Sequence, residues 1–367
     1  MEQTALNETK QALMIRRQQS RTETRSFSNW DFDRDPKSIL IIRFHAIGDV
    51  AITLPASVAV ASLFPNAEVG FLTSEASVPL VRAITAFSNV YAIPSSSTRS
   101  ERLKNGILTG LKMRSKRYDV VVDLQRNWQS RLIRRLAHAK SWGEFDRFSP
   151  NAASVRVLDT FHRTGFSTLT PHPALQLKND LQVKAESLLV KEGWDSHSLL
   201  IVLNPAGFWE TRNWSLDNYI SLARCWLEHE KVFFVIVGTD RVSKKASRLK
   251  HALGDSLINL VNKTSLDEAM AIMRHANLII SEDSGLMHMA WAVGVPIVAL
   301  FGSSNHVWSQ PTGEYTRTFH SGDLECGACM SPTCRFDDVR CLTRVSPAMV
   351  FDAAQEILRN KHTTIAR

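Results

Sequence analysis

Two kinds of hydrophobic pattern alternate along the chain. Residues 38–44 form a short, nearly continuous apolar run, as a strand buried on both faces requires. In residues 50–63 the apolar positions recur every three or four places, the period of a packed helix. Pro55 is expected near the start of that helix, because it has no N–H to give to the preceding turn. The same reading predicts a strand over 68–72, a helix over 77–85 and a strand over 118–124. After Pro171 and Pro173 a helix runs to about 192, and a second series begins. Its strands are expected over 199–203, 232–237, 257–259, 278–281 and 296–301, and its helices over 215–230, 265–274, 286–293 and 346–359. Such alternation argues for an α/β protein with doubly wound parallel sheets. At 367 residues there is room for two of them. The expected division is a flexible polar leader over 1–37, Rossmann-like domains over 38–182 and 183–345, and a C-terminal helix and tail over 346–367 that packs back on the first domain.

Composition, 44% hydrophobic and 22% charged, is that of an ordinary globular protein. No apolar run approaches the length of a membrane span, and the leader, with Arg16, Arg17, Arg21 and Arg25, lacks the apolar centre of an export signal. A cytoplasmic protein is expected, peripheral at the inner face of the cytoplasmic membrane. Charge changes the picture more. Residues 99–147 hold 13 Lys or Arg against 5 Asp or Glu, an excess equal to the +8 of the whole chain. A positive face of this kind attracts an anionic partner, and Arg126 within it is taken as acceptor-binding. Solvated helix faces would give the same count. Few aromatics accompany these cations, so nucleic acid is not expected.

Candidate chemistry gathers at strand ends. Asp283-Ser284-Gly285 follows a strand and opens a helix, whose free N–H groups and partial positive charge suit a diphosphate. Gly285 lets the ligand approach the backbone, and His288 lies one turn on. The plainer reading is that Asp283 or Ser284 caps the helix and His288 is packed. Thr211 and Arg212, in a second strand-end loop, offer a donor and a charged fork for phosphate. Thr239 and Asp240, in a third, are placed to meet a ribose. In the first domain, His45-Ala46-Ile47-Gly48-Asp49 makes a strand-to-helix turn. Its carboxylate can take the proton of an attacking sugar hydroxyl, unless Asp49 is merely a helix cap. His45 is the alternative base. Finally, Cys326, Cys329, Cys334 and Cys341 present a ligand set for structural zinc or an iron–sulfur cluster, with free buried thiols or reversible disulfides as the competing readings.

Taken together, residues 47–55 (Ile-Gly-Asp-Val-Ala-Ile-Thr-Leu-Pro) and 283–296 (Asp-Ser-Gly-Leu-Met-His-Met-Ala-Trp-Ala-Val-Gly-Val-Pro) resemble the heptosyltransferases of lipopolysaccharide core synthesis, family-9 glycosyltransferases. The resemblance runs from about residue 38 to the end. It implies the two-domain GT-B architecture and inverting transfer of heptose from ADP-heptose to an anionic, lipid-linked glycan, with no cofactor required. It makes Asp49 the base. It assigns the donor to Arg212, Asp283, Ser284, Gly285 and His288, with Thr239 or Asp240 near the ribose and adenine. Thr211 is added as donor-binding, and His45, Gly48 and Arg126 are taken as acceptor-binding, from their own positions in the chain. Phe44-His45-Ala46 before the Gly-Asp pair and Gly302-Ser303-Ser304 after the last strand depart from the family pattern. A nucleotide-sugar epimerase, or a nucleotide-sugar-binding protein without catalysis, would use the same architecture.

Overall fold

The computed structural model describes residue 30, residues 34–171 and residues 174–365. Most of the predicted leader therefore lies outside the described residues. The first half runs β1 (Ser38–Ile42), α1 (Ile47–Leu63), β2 (Glu68–Ser74), α2 (Val78–Arg82), β3 (Asn89–Ile93), α3 (Arg99–Lys116), β4 (Val120–Asp123), α4 (Trp128–Ala137), β5 (Ser141–Glu144) and α5 (Ala153–Arg163). The second runs α6 (Asn179–Lys191), β6 (Leu199–Asn204), α7 (Leu216–His229), β7 (Val232–Ile236), α8 (Ser243–Leu253), β8 (Leu257–Asn259), α9 (Leu266–His275), β9 (Leu278–Glu282), α10 (Gly285–Ala292), β10 (Ile297–Leu300), α11 (His306–Ser309), β11 (Thr316–Phe319), α12 (Arg340–Thr343) and α13 (Pro347–Ile365).

Two wholly parallel sheets result, ordered β3-β2-β1-β4-β5 and β11-β10-β9-β6-β7-β8. Their central strands are apolar throughout because helices cover both faces: Ile39, Leu40, Ile41 and Ile42 of β1 are fully buried. Strand order reverses between β1 and β4 in one sheet and between β6 and β9 in the other. Crevices open at the carboxyl ends of strands at such switch points. The loops that open there are those after β1, β4, β6 and β9.

Residues 174–178 carry the chain across. Leu175 N–H donates to Ala292 O at 3.2 Å and Lys178 N–H to Ala83 O at 2.9 Å, so the crossing segment is tied to both halves. Beneath it one continuous apolar core includes Leu80 and Val81 of α2 together with Met270 and Ala271 of α9.

Two expectations are corrected. Pro55 lies in the interior of α1, not its first turn, because the helix begins three residues earlier, at Ile47. The C-terminal helix α13 packs on the second domain rather than the first. Val350, Ala354 and Ile357 are buried with Leu222 and Trp226 of α7, the Phe351 and Trp226 rings meet edge-to-face at 4.8 Å, and Glu356 pairs with Arg317 of β11.

Candidate active site

The loop between β1 and α1 is held from three sides. Phe44 N–H donates to Gln125 Oε1 at 3.0 Å, and Arg43 spans from the Leu124 carbonyl to Asp49, its Nη2 2.7 Å from Asp49 Oδ2. That same carboxylate oxygen accepts the Ala46 N–H at 3.1 Å. Asp49 thus does serve the start of α1, yet its side chain stays 44% exposed and lines the cleft. His45 has its pKa lowered by burial first and then by Arg43, with Asp49 opposing, so its imidazole is neutral near pH 7.

Across the cleft, α10 begins at Gly285. Ser284 stands at its N-cap but makes no side-chain cap bond. Its hydroxyl instead accepts from Asn204 Nδ2 at 2.7 Å. No cap bond from Ser284 therefore covers the positive end of this helix, which faces the cavity. His288 is buried, and burial lowers its pKa, with Asp283 and Asp49 opposing. The two halves touch here: a Cβ placed on Gly48 would lie 2.8 Å from His288 Cδ2 and 3.2 Å from Gly285 Cα. Gly48 is needed for this close approach.

The cavity between the halves has a volume of about 1020 Å³, ample for a nucleotide sugar. Gly48, Asp49, Arg212, Thr239, Asp283, Ser284, Gly285 and His288 all line it. Arg212 lies 3.1 Å from Asp283 Oδ2 and stacks 4.0 Å over the Trp209 ring, while its Nε is buried with no partner. A second cavity of about 360 Å³ continues beyond Asp49. Its wall carries Arg43, Arg147 and Arg156 against the single carboxylate of Asp49, and His45 joins them.

Three predicted site residues lie elsewhere. Thr211 is buried outside the cleft lining, its hydroxyl 2.8 Å from Ser303 Oγ and 2.6 Å from the Ser331 carbonyl that it donates to; it ties two loops together. Asp240 accepts from Ser243 Oγ at 3.0 Å and orients the start of α8, off the cleft wall. Arg126 is buried, with Nε 2.9 Å from Glu144 and Nη1 2.9 Å from Asp146, so its charge is spent inside the domain. The four C-terminal cysteines are free, and among the described residues they form no group that could hold a metal ion. Burial first, and then the neighbouring thiols, push Cys341 up to about 11.

Two residues the sequence reading passed over shape the donor side. Glu282, at the end of β9, accepts the N–H groups of Gly207 and Trp214, both at 2.7 Å, and so fixes the loop that carries Arg212. Lys245 of α8 reaches the same loop, donating to the Pro205 carbonyl at 2.7 Å and to Asn213. Glu282 directly precedes the Asp-Ser-Gly motif, but it ends an apolar strand and reads there as a strand terminus.

Two parallel-sheet domains whose switch-point loops face each other across a nucleotide-sized cleft make the GT-B architecture. The model of glycosyltransferase family 9 (heptosyltransferase) matches residues 109–340, and the chain belongs to that family. It is 25% identical over 312 residues to lipopolysaccharide heptosyltransferase 3 of Escherichia coli, an alignment covering 77% of this chain and 88% of the relative. A family-9 glycosyl transferase from Veillonella parvula superposes with a TM-score of 0.77 at 19% identity, covering 91% of this chain and 99% of that one. The Escherichia coli ADP-heptose LPS heptosyltransferase II superposes with a TM-score of 0.69 at 19% identity, covering 89% and 99%. The protein is thus a glycosyltransferase enzyme. Among its described residues no helix is long and apolar enough to cross a membrane.

Proposed function

We propose that the enzyme transfers heptose from ADP-heptose to an anionic, lipid-linked glycan of the lipopolysaccharide core or a related acceptor. In this reading the division falls at residue 178 rather than the expected 182, since α6 packs on α9 through Gln182 and Lys184; residues from 179 onward bind the donor and residues 38–178 the acceptor. The work is done on the cytoplasmic side, with the protein peripheral to the membrane. The names of the relatives support the donor and the core acceptor.

The carrying observation is the meeting of an exposed carboxylate, Asp49, with a helix N-terminus left uncapped by Ser284, across Gly48 and Gly285. The diphosphate would lie on the first turn of α10 with Arg212 beside it, where leaving-group charge is stabilised as it develops. Arg212 would exchange Asp283 for phosphate. Asp49 takes the proton of the attacking hydroxyl, and displacement proceeds with inversion. Arg43, Arg147 and Arg156 replace Arg126 as the grip on the acceptor's anion. An epimerase would have no use for that second cavity. The reading requires no metal ion; the cysteines retain only a structural role in it.

Asp49→Asn tests the assignment. It should lower kcat by about 10²–10⁴-fold while ADP-heptose still binds. Full transfer activity from the folded variant would remove Asp49 as the base.

A further inference from the structure

We propose that the outward face of α3 is a docking surface for an anionic lipid bilayer. The helix presents two unlike faces. Gly106, Thr109, Gly110 and Met113 turn inward, and Gly110 lets α3 settle on Leu136 of α4, where an added Cβ would lie 2.7 Å from the Leu136 Cβ. Leu103, Ile107, Leu108 and Leu111 turn outward, and they are 47%, 39%, 56% and 49% exposed. Apolar side chains scattered singly over a surface are ordinary; four adjoining ones on one helix face are not.

The same arc carries Lys104, Lys112 and Arg114, and Arg99, Arg102, Lys116 and Arg117 flank it. The one acid on the helix, Glu101, is committed to its start, where Oε2 accepts the N–H groups of Ser97 at 3.0 Å and Thr98 at 3.2 Å. Among the described residues none of Arg99, Lys104, Arg114, Lys116 and Arg117 has an acidic partner. Trp128, 45% exposed, opens the adjoining α4, where an indole suits the boundary between headgroups and water. Cations framing an apolar helical stripe are complementary to acidic headgroups over acyl chain. A protein partner would have to supply acids and an apolar groove together, and single-stranded nucleic acid would want aromatic platforms that α3 lacks.

Position gives the surface a use. Gln129 of α4 donates from Nε2 to the Arg102 carbonyl in the first turn of α3 at 2.8 Å, and Gln125, in the loop that leads into α4, lines the second cavity, so this end of α3 lies on the side of the domain that holds that cavity. A membrane-seated α3 would bring lipid-borne glycans to that cavity. The use rests on the lipid-linked acceptor proposed above; the binding does not.

The test is flotation of the full chain with vesicles of phosphatidylcholine alone or with phosphatidylglycerol, at low and high salt, with no donor or acceptor present. Wild type should float with the anionic vesicles only, and less at high salt. Lys104→Glu/Arg114→Glu should weaken this at least about 30-fold, since two cations are worth roughly that at a charged surface. Leu108→Ser/Leu111→Ser should weaken it about tenfold while keeping the salt response. Both variants should melt like wild type and keep transfer to a soluble acceptor fragment. No binding by wild type, or unchanged binding by the charge variant, overturns the proposal. Loss in the charge variant alone, with the apolar variant unaffected, overturns it too, because the apolar stripe would then not dock.

Discussion

Replacing Glu282 by Gln separates what a buried carboxylate does for the donor loop from what it costs. Burial pushes Glu282 from its ordinary 4.5 up to about 7, against the opposing pull of Lys245 and the N–H groups of Gly207 and Trp214. Between pH 4.5 and 7 the folded protein therefore holds a proton that the unfolded chain has released. Stability then falls as pH rises through this window, by about 1.4 kcal/mol per unit, or about 2–3 kcal/mol between pH 5 and pH 8. Gln cannot ionise, so the variant lacks this loss. It keeps one acceptor oxygen but turns an amide toward the second N–H, leaving one buried donor unpaired at about 1–3 kcal/mol at every pH. Wild type should thus be the more stable at pH 5, and the two should converge or cross by pH 8. Urea denaturation of both proteins at the two pH values measures the difference. Asp123, also pushed up to about 7 by burial, adds the same slope to both proteins and cancels. The KM for donor should rise in the variant because the Arg212 loop has lost an anchor. Parallel stability curves would refute the reasoning, since Glu282 would then not be the group whose proton is retained.

Arg212→Ala should weaken ADP binding about 10- to 100-fold in calorimetric titration, the worth of a charge-assisted bond to phosphate. Unchanged affinity would mean that Arg212 stays with Asp283 when the nucleotide binds. Gly48→Ala should destabilise the fold by about 1–3 kcal/mol and lower kcat, because the new methyl meets His288 and Gly285 where the halves touch. A variant that melts and turns over like wild type would show that the halves part readily there.

The fold was legible wherever burial on both faces left one pattern to read. All of β1, β4, β6, β7, β9 and β10 are such strands, and each lies within a residue or two of its expected place. Among the elements missed are the edge strands β3 and β11 and the water-facing helix α3. In β3 three of five residues are only half buried, and α3 carries its apolar side chains outward, where helical periodicity points to the wrong face. The C-terminal helix was expected, but its partner was not. An amphipathic face says that something covers it, and only the edge-to-face contact of Phe351 with Trp226 says what.

For the site, the motifs told which loops matter but not which side chains within them are free to act. Thr211 and Arg212 adjoin, yet one hydroxyl is consumed by Ser303 and Ser331 while the neighbouring guanidinium lines the cleft. The cationic stretch over 99–147 makes the point more strongly. Summed along the chain it reads as one positive face; in space it divides three ways. Arg126 and Arg134 are buried against Glu144. Those on α3 look outward, and Arg147 joins Arg43 and Arg156, from outside the stretch, around the second cavity. Proximity in sequence raises the local count of charge, but an anion is gripped only by cations that no acid has already claimed. Asp49, paired with Arg43, is the one carboxylate in the wall of their cavity, which leaves Arg147 and Arg156 to make it the cationic side of the reaction centre.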